Sequence, residues 1–292
     1  MLAAPTGLAT RLTDLEFRVC TRLRLRVPLA LGRAAGRCRN KSSGAAAEEP
    51  AMRGECGKPL DGGGFHALVC LVGGLVIRRH HMLRDIWAAI GAEAGYTSAT
   101  EVLEPSWTRA RTNAAGEVEV KQARLDCRFS GPPADPLVYG DVVVSHPEAS
   151  SWLSGAAARD ASAAEGAAKG KHSRYPGFAL PGGRLVPLSV ETFGRWGSEA
   201  LDFLRSAAEA TCESSPQLAF LGSWGPVLLL GAWHARLSVA LQKANAACLL
   251  QAGRVRGAED FVEGHCWPGW EEDVEDLLRD AAAAAAAGNF GA

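Results

Sequence analysis

The chain has 292 residues, 47% of them hydrophobic, with a net charge of −1 and eight cysteines. The length allows one large domain, or one medium domain with appendages, around a hydrophobic core. No apolar run approaches the roughly 18 residues that are needed to cross a bilayer. Eight cysteines in so long a chain, with no secretory signal before them, do not suggest a disulfide framework and indicate a reducing compartment.

The charge is unevenly distributed along the chain. Residues 1–58 carry eleven Lys or Arg against five Asp or Glu, whereas residues 258–280 carry nine acids and one arginine. This asymmetry fits a basic arm that meets nucleic acid and an acidic tail that does not. Two solvated surface segments would explain the same pattern equally well.

The first predicted elements are two helices separated by an insert. A helix over residues 9–26 is predicted because apolar residues recur at helical spacing on one face. This face is formed by Leu12, Leu15, Val19 and Leu23. Residues 40–55, rich in Ser, Gly, Ala and Glu, predict a flexible insert. The second helix covers residues 77–94 and ends at Gly95. Its inward face is predicted to consist of Leu83, Ile86, Trp87 and Ile90.

The middle of the chain predicts an α/β fold. Three short strands follow the second helix, each bounded by turns that contain Gly, Pro or Asn. They cover residues 99–104, 117–129 and 137–145. An alanine-rich helix over 148–173 precedes a buried strand at 185–192, and two further helices are predicted at 196–212 and 226–252. The core order is therefore helix, three strands, helix, strand.

A group of cysteine and histidine residues suits tetrahedral zinc. Cys56, His66 and Cys70 lie within a glycine-rich segment that permits tight turns. A closed structural site needs a fourth ligand, for which Cys38 is the first choice and Cys20 the second. The long gap after Cys38 is tolerable because the entropy of loop closure grows slowly with loop length. Buried thiols beside a surface histidine are the alternative interpretation.

Two acids and a lysine suit the hydrolysis of a phosphodiester. Asp126 and Asp141 fall on two successive predicted strands, and Lys171 lies about thirty residues further on. Such hydrolysis needs Mg²⁺ to activate water and a cation to stabilise the developing negative charge. Solvent-facing strand aspartates and a solvated lysine at a helix end are the alternative, and Lys169 is a second choice for the cation.

The ordered series of motifs resembles the C-terminal part of non-LTR retrotransposon reverse transcriptases that carry a CCHC zinc knuckle followed by a restriction-like endonuclease. The resemblance covers about residues 12–250. It begins with the cysteines and histidine at 38, 56, 66 and 70 and continues with GGLVIRRHHMLRD at 73–85, RLD at 124–126, DVVVSHP at 141–147, KHSRYP at 171–176 and VETFG at 190–194.

This resemblance implies a restriction-endonuclease-like core of the PD-(D/E)XK type. It implies Asp126 and Asp141 as Mg²⁺ ligands, Lys171 as the catalytic lysine and Glu104 as a further acid of the site. It places His80 in an Arg-His element at the start of the first core helix. Structural Zn²⁺ and catalytic Mg²⁺ are the implied cofactors.

The sequence also departs from the family pattern. Val143 stands two residues past the second acid, where many PD-(D/E)XK nucleases carry lysine, and Leu125 replaces the proline of the motif. Lys171, reaching the site from the following helix, would then supply the missing charge. No polymerase segment precedes the knuckle, which suggests a fragment, a decayed copy or a co-opted piece.

The segments of the chain are assigned separate roles on this basis. They are a basic helical segment at 1–37, a zinc-binding segment with its flexible insert at 38–77, the endonuclease core at 78–215, and C-terminal helices with an acidic, alanine-rich tail at 216–292. We expect a nuclear, Mg²⁺-dependent endonuclease that nicks DNA, with RNA of the parent element as a further partner and no membrane partner. A non-catalytic nucleic-acid-binding remnant is the alternative.

Overall fold

A computed structural model describes residues 11–27, 29, 36–41, 54–112, 117–131, 137–175, 183–219 and 221–253. Most of the predicted insert at 40–55 and the acidic, alanine-rich end of the chain lie outside these residues. The chain divides into two compact units. One is Leu68–Trp233, and the other consists of the residues before and after it. The predicted boundaries after residues 37, 77 and 215 stay a prediction.

The Leu68–Trp233 unit has an α/β fold, so the predicted class is confirmed. Its elements are α3 (Leu75–Glu93), β1 (Thr97–Thr112), β2 (Val118–Ser130), β3 (Leu137–Ser145), α4 (Leu153–Ala158), α5 (Ser162–Arg174), β4 (Gly183–Glu191), α6 (Ser198–Ser214) and α7 (Pro216–Ala219). The strands form a mixed sheet in the order β1-β2-β3-β4. The β1–β2 and β2–β3 pairs are antiparallel, and the β3–β4 pair is parallel. A parallel pair needs a crossover connection, which α4 and α5 supply.

The core of this unit lies where α3 and α6 pack against the sheet. All four predicted inward residues of α3 are buried. A Cβ atom at Gly91 of α3 would lie 2.3 Å from the ring of Phe129 on β2, so only glycine allows this approach. The Phe129 ring centroid lies 5.1 Å from that of Phe203 on α6. The close approach at Gly91 thus fixes α3, and the two histidines that α3 carries, beside β2.

The predicted single helix over residues 148–173 is wrong, because the structure has two helices there. The chain leaves helical geometry at Arg159, and Ala161 adopts a left-handed conformation with φ of 56°. The N-cap residue of α5, Ala161, has no side-chain group that could accept a capping hydrogen bond. Instead, the backbone N–H of Ala163 donates to Oε1 of Glu191 at the end of β4, at 2.9 Å. A carboxylate is favourable at a helix N-terminus, so Glu191 stabilises the start of α5.

The other unit contains α1 (Asp14–Leu25), most of α2 (Phe65–Val69) and the later part of α8 (Trp224–Gly253). α1 begins with a capping box between Thr13 and Glu16. Its buried apolar residues are Val19, Cys20 and Leu23, whereas the predicted Leu12 and Leu15 are only half-buried. Among the described helices, none combines the length and the apolar character needed to cross a membrane.

Candidate functional site

Asp126 and Asp141 lie on neighbouring antiparallel strands. Cys127 of β2 is opposite Gly140 of β3. Continuing this register by one pair places Asp126 opposite Asp141, and residues directly opposite each other point to the same face of a sheet. Both acids are buried, with 9% and 4% of their surface exposed. The pairing of β2 with β3 therefore brings together two carboxylates that are fifteen positions apart in the sequence.

The Asp126 carboxylate contacts a histidine and a backbone N–H in addition to its neighbour Asp141. Its Oδ1 lies 2.8 Å from Nε2 of His80 on α3, and its Oδ2 accepts the backbone N–H of Val142 at 2.7 Å. Burial opposes ionisation of Asp126, but the contacts with His80 and the Val142 N–H favour the charged form and hold the pKa below its usual range. Asp126 is therefore the acid of the pair that stays ionised.

The Asp141 carboxylate is paired with the predicted lysine. Nζ of Lys171 on α5 donates to Oδ1 of Asp141 at 2.6 Å, and the two side chains are only 13% and 6% exposed. Burial, together with the neighbouring Asp126, raises the pKa of Asp141 to about 6, although Lys171 acts in the opposite direction. Oδ2 of Asp141 is buried and accepts no hydrogen bond from any described donor, and the Asp141 carboxyl group can share a hydrogen bond with Asp126 only when one of the two acids is protonated.

Contacts along α5 determine where Lys171 lies. The start of the helix is held by Glu191, as described above. In the first turn, Oε1 of Glu165 accepts the backbone N–H of Ser198 at the start of α6, at 2.6 Å. In the last turn, Nε2 of His172 lies 2.9 Å from the carboxylate of Glu199. These three contacts, spread over the helix, fix its position along the sheet and therefore the reach of Lys171.

Strand β1 carries a further charged residue, Glu101, which lies beside Asp126 of β2. Glu101 interrupts the pairing between Thr100↔Cys127 and Val102↔Leu125, which places it opposite Asp126. Its φ of 55° is left-handed, a strained conformation for a residue other than glycine. The Glu101 carboxylate pairs with Arg84 of α3 and, at 2.5 Å, with Nε of Arg124 of β2. This group connects α3 to both strands near Asp126.

Glu104, the predicted further acid, is not part of the Asp126, Asp141 and Lys171 group. It pairs with Ala123, three residues before Asp126, which is about 10 Å along the strand. Its Oε2 accepts the hydroxyl hydrogen of Tyr139 at 2.7 Å. Burial and this contact raise the pKa of Tyr139 to about 12. The catalytic role assigned to Glu104 stays a prediction.

The predicted zinc ligands Cys38, Cys56, His66 and Cys70 lie together. Their candidate ligand atoms all fall within 4.8 Å of one another, and the group could hold a metal ion such as zinc. Nε2 of His66 lies 3.3 Å from Sγ of Cys56. Burial and nearby Lys58 lower the pKa of His66, which favours the neutral imidazole that binds metals.

Backbone pairing and one short helix assemble these four residues. Bridges between Arg37 and Pro59 and between Lys41 and Glu55 place the segment around Cys38 against the segment around Cys56. The N–H groups of Phe65 and His66 donate to the carboxylate of Asp61, at 2.8 and 2.9 Å, and start α2. That helix then places Cys70 four residues after His66, which is one helical turn.

Cys20, the second choice for the fourth ligand, lies outside this group. Its Sγ is 3.3 Å from the backbone oxygen of Gln242. Burial, with Glu16 nearby, raises the pKa of the Cys20 thiol to about 12. Cys20 is therefore a core residue, because it is buried and lies outside the group of potential ligands.

Sequence reasoning gave no weight to His80 and Glu101 as partners within the acid group. The signal for His80 was the Arg-Arg-His-His run at the start of a helix whose opposite face is apolar. Nothing in the sequence marks Glu101. No protein-family model matches the chain, and no curated protein matches it.

Proposed function

We propose that the chain is a Mg²⁺-dependent DNA endonuclease of the PD-(D/E)XK type and of retrotransposon origin, which acts in the nucleus. The observation that carries the proposal is the convergence of Asp126, Asp141 and Lys171. Two buried carboxylates and an ammonium group come from three different elements: Asp126 lies opposite Asp141 in the β2–β3 register, and Nζ of Lys171 lies 2.6 Å from Asp141. A buried group of this kind is costly to maintain in a purely structural role.

A divalent cation suits the donors that are present. Oδ2 of Asp141 is buried without a hydrogen bond from the described residues, and a metal would supply its partner. Two adjacent carboxylates repel each other, and the raised pKa of Asp141 reflects that repulsion as well as burial. Asp126 and Asp141 would hold the ion, since Mg²⁺ prefers carboxylate oxygens. When bound, Mg²⁺ would activate water and neutralise phosphate charge.

The chain's own side chains would position and stabilise the reacting groups. Hydrolysis transfers the hydroxyl of water to phosphorus and a proton to the 3′ oxygen as the P–O3′ bond breaks, leaving a 3′-hydroxyl and a 5′-phosphate. Lys171 would stabilise the negative charge that develops on the phosphate. His80 would keep the Asp126 carboxylate oriented, because it occupies one of its oxygens. The burial of these groups would strengthen each interaction.

The cysteine and histidine group would hold a structural Zn²⁺ ion. Three thiolates and one imidazole form the Cys₃His set that is common in closed, non-catalytic zinc sites. We propose that this segment and the basic start of the chain contact phosphates. Binding to DNA, or to RNA of the parent element, would then weaken steeply as salt increases.

A non-catalytic nucleic-acid-binding protein is the second candidate function. Val143 favours this non-catalytic function, because position 143 carries valine in place of the lysine that many PD-(D/E)XK nucleases have beside the acids. The 2.6 Å pairing of Lys171 with Asp141 is also compatible with an inert ion pair. The two functions predict the same binding and differ in turnover.

The test is nicking of supercoiled plasmid by the full chain, with Mg²⁺ and with Mg²⁺ omitted. Omission is preferable to a strong chelator, which would also strip the cysteine and histidine group. We expect Asp141→Asn and Lys171→Met to reduce nicking by at least about a hundredfold, the usual loss for a group that stabilises transition-state charge. The matched control is Asp202→Asn, because Asp202 is exposed on α6 and pairs with Arg205.

The outcomes separate the two functions. Mg²⁺-dependent nicking that both substitutions remove, and that Asp202→Asn preserves, supports the endonuclease. DNA binding without nicking supports the non-catalytic protein. Equal nicking by the wild type and Asp141→Asn would show a contaminating nuclease and would end the proposal for this site.

A further inference from the structure

A cavity lies between α4 and α5, separate from the acid group. Its volume is about 320 Å³, within the range of small-molecule sites. Its lining includes the indole of Trp152, the cationic side chains of Arg159 and Lys169, two carboxylates, and serine hydroxyls such as that of Ser162. The cavity thus combines an aromatic ring, positive charge and hydrogen-bonding groups.

The donors of this cavity are not used by the protein itself. Among the residues that the structure describes, the side chains of Arg159, Lys169 and Ser162 have no hydrogen bond or ion pair. The two acids in the lining are engaged elsewhere. Glu165 accepts the N–H of Ser198, and Asp160 pairs with Arg195 at 3.2 Å. The lining therefore holds two cations and two acids, and the cations are the groups whose donors have no partner among the described residues, so they remain able to bind a phosphate group.

The position of the aromatic ring depends on one glycine. A Cβ atom at Gly166 of α5 would lie 2.2 Å from Cζ3 of Trp152 and 2.8 Å from Cη2. The ring therefore rests directly on the α5 backbone while it also lines the cavity. Trp152 remains half-exposed in this arrangement, so part of the ring is available to a ligand.

We propose that this cavity binds a nucleotide, with the base against the Trp152 ring and the phosphate held by Arg159 and Lys169. Bases stack on aromatic side chains regardless of sequence, and lysine and arginine bind phosphate. Lys169 precedes Lys171 by two residues, a rise of about 3 Å along the helix. α5 thus carries one lysine for the acid pair and another for the cavity.

That the nucleotide belongs to a DNA strand undergoing cleavage rests on the proposed function. The preference for a base joined to a phosphate does not rest on the proposed function, because it follows from the residues that line the cavity. The experiments below separate a free mononucleotide from a strand, and the deoxy form from the ribo form.

The first experiment titrates the full chain by calorimetry with deoxyadenosine 5′-monophosphate, deoxyadenosine and inorganic phosphate. The monophosphate is expected to bind at least about tenfold more tightly than either part, because only it uses both the ring and the cations. Parallel titrations with adenosine 5′-monophosphate and a four-residue deoxyadenosine strand identify the preferred source. Binding of the monophosphate no tighter than phosphate alone would overturn the proposal.

The second experiment compares two glycines of the same helix. Gly166→Ala must displace the Trp152 ring, whereas a Cβ atom at Gly170 meets nothing within 4 Å. We expect Gly166→Ala to weaken binding of the monophosphate by about tenfold and Gly170→Ala to leave it unchanged. Equal binding by the two variants would contradict a role for the ring.

Lys169→Gln provides the test if Gly166→Ala fails to fold, since Lys169 is exposed. We expect this substitution to weaken the monophosphate and phosphate about tenfold and to leave deoxyadenosine unaffected. Unchanged phosphate binding would contradict the proposal that Lys169 holds the phosphate. Nucleotide binding without plasmid nicking would refute the proposed endonuclease function and support nucleotide binding in the cavity. Nicking without nucleotide binding would support the endonuclease function and refute nucleotide binding in the cavity.

Discussion

The two candidate metal groups of this protein are built in opposite ways. The first, Cys38, Cys56, His66 and Cys70, comes from short paired segments and a five-residue helix, with its ligand atoms all within 4.8 Å of one another. The second, Asp126 and Asp141, lies on adjacent strands of the sheet, where His80 and Lys171 already pair with the acids. Thiolates so close together repel one another unless an ion binds them, whereas each of the acids already has a basic side chain as a partner.

This difference indicates different dependence on metal. The cysteine and histidine group should need its ion to fold, as structural zinc sites do. The acid group should fold without an ion and need it only for chemistry. The predictions below test that contrast, beginning with the largest effect.

The largest effect should follow from removal of zinc. A structural Zn²⁺ ion contributes about 10–16 kcal/mol in small zinc-binding peptides, so a strong chelator should unfold the segment that contains the four ligands. Hydrogen exchange should rise sharply from Cys38 to Cys70, while amides of β2 and β3 keep their protection. Metal analysis should give one zinc per chain before treatment.

Cys56→Ser should reproduce the effect of the chelator, and Cys212→Ser is its matched control. Cys212 is a half-buried free cysteine outside the four-residue group. If Cys56→Ser keeps full zinc content and unchanged exchange, the group is not a structural metal site. The contrast between the two regions would then disappear.

The next effect concerns the contact between His80 and Asp126. Residues that orient a metal ligand typically change activity or metal affinity by about 10- to 100-fold when they are replaced. His80→Gln should therefore reduce Mg²⁺-dependent nicking by about that factor and raise the Mg²⁺ concentration needed for half-maximal rate. The fold should remain intact, as judged by circular dichroism.

His81→Gln is the natural control for this substitution. His81 is adjacent in α3, but its Nε2 lies 4.0 Å from Glu101 and its side chain is 48% exposed. If His80 orients Asp126, only the His80 variant should lose nicking activity. A similar loss in both variants would point to a general effect on α3 instead.

Local patterns were sufficient to predict much of the fold. The inward face of α3 follows from apolar residues at helical spacing, and all four of those residues are buried. The third predicted strand, residues 137–145, matches β3. The contact of Lys171 with Asp141 agrees with the suggestion that the cation comes from the following helix. Each of these depends on short-range periodicity or on the order of elements.

The features that escaped prediction depend on contacts between distant segments. The partnership of His80 with Asp126 spans 46 residues, and it depends on the packing of α3 against β2, where Gly91 lies close to the Phe129 ring. Glu101 lies opposite Asp126 through the β1–β2 register, which alternation within one strand does not determine. The break between α4 and α5 contains Ala161 in a left-handed conformation, although alanine is a residue type that favours helix. Such features require the paired structure.

The smallest effect tests whether the acid pair folds at a cost. The pKa of Asp141 is raised to about 6, so between about pH 4 and 6 the folded state binds more protons than the unfolded state. The free energy of unfolding therefore falls as pH rises through this window and is lowest above it. Asp141→Asn removes this titration, and its amide oxygen can still accept the Lys171 hydrogen bond.

In buffer without Mg²⁺, Asp141→Asn should therefore be more stable than the wild type by about 1 kcal/mol at pH 7.5, or a few degrees in Tm. The difference should shrink at pH 5, where much of the wild-type carboxyl group is already protonated. Thermal melts of both proteins at the two pH values measure this, with Asp202→Asn as the exposed control. A variant less stable than the wild type at pH 7.5 would show that the Lys171–Asp141 pair stabilises the fold, and the acid group would then resemble a structural ion pair rather than a site maintained for chemistry.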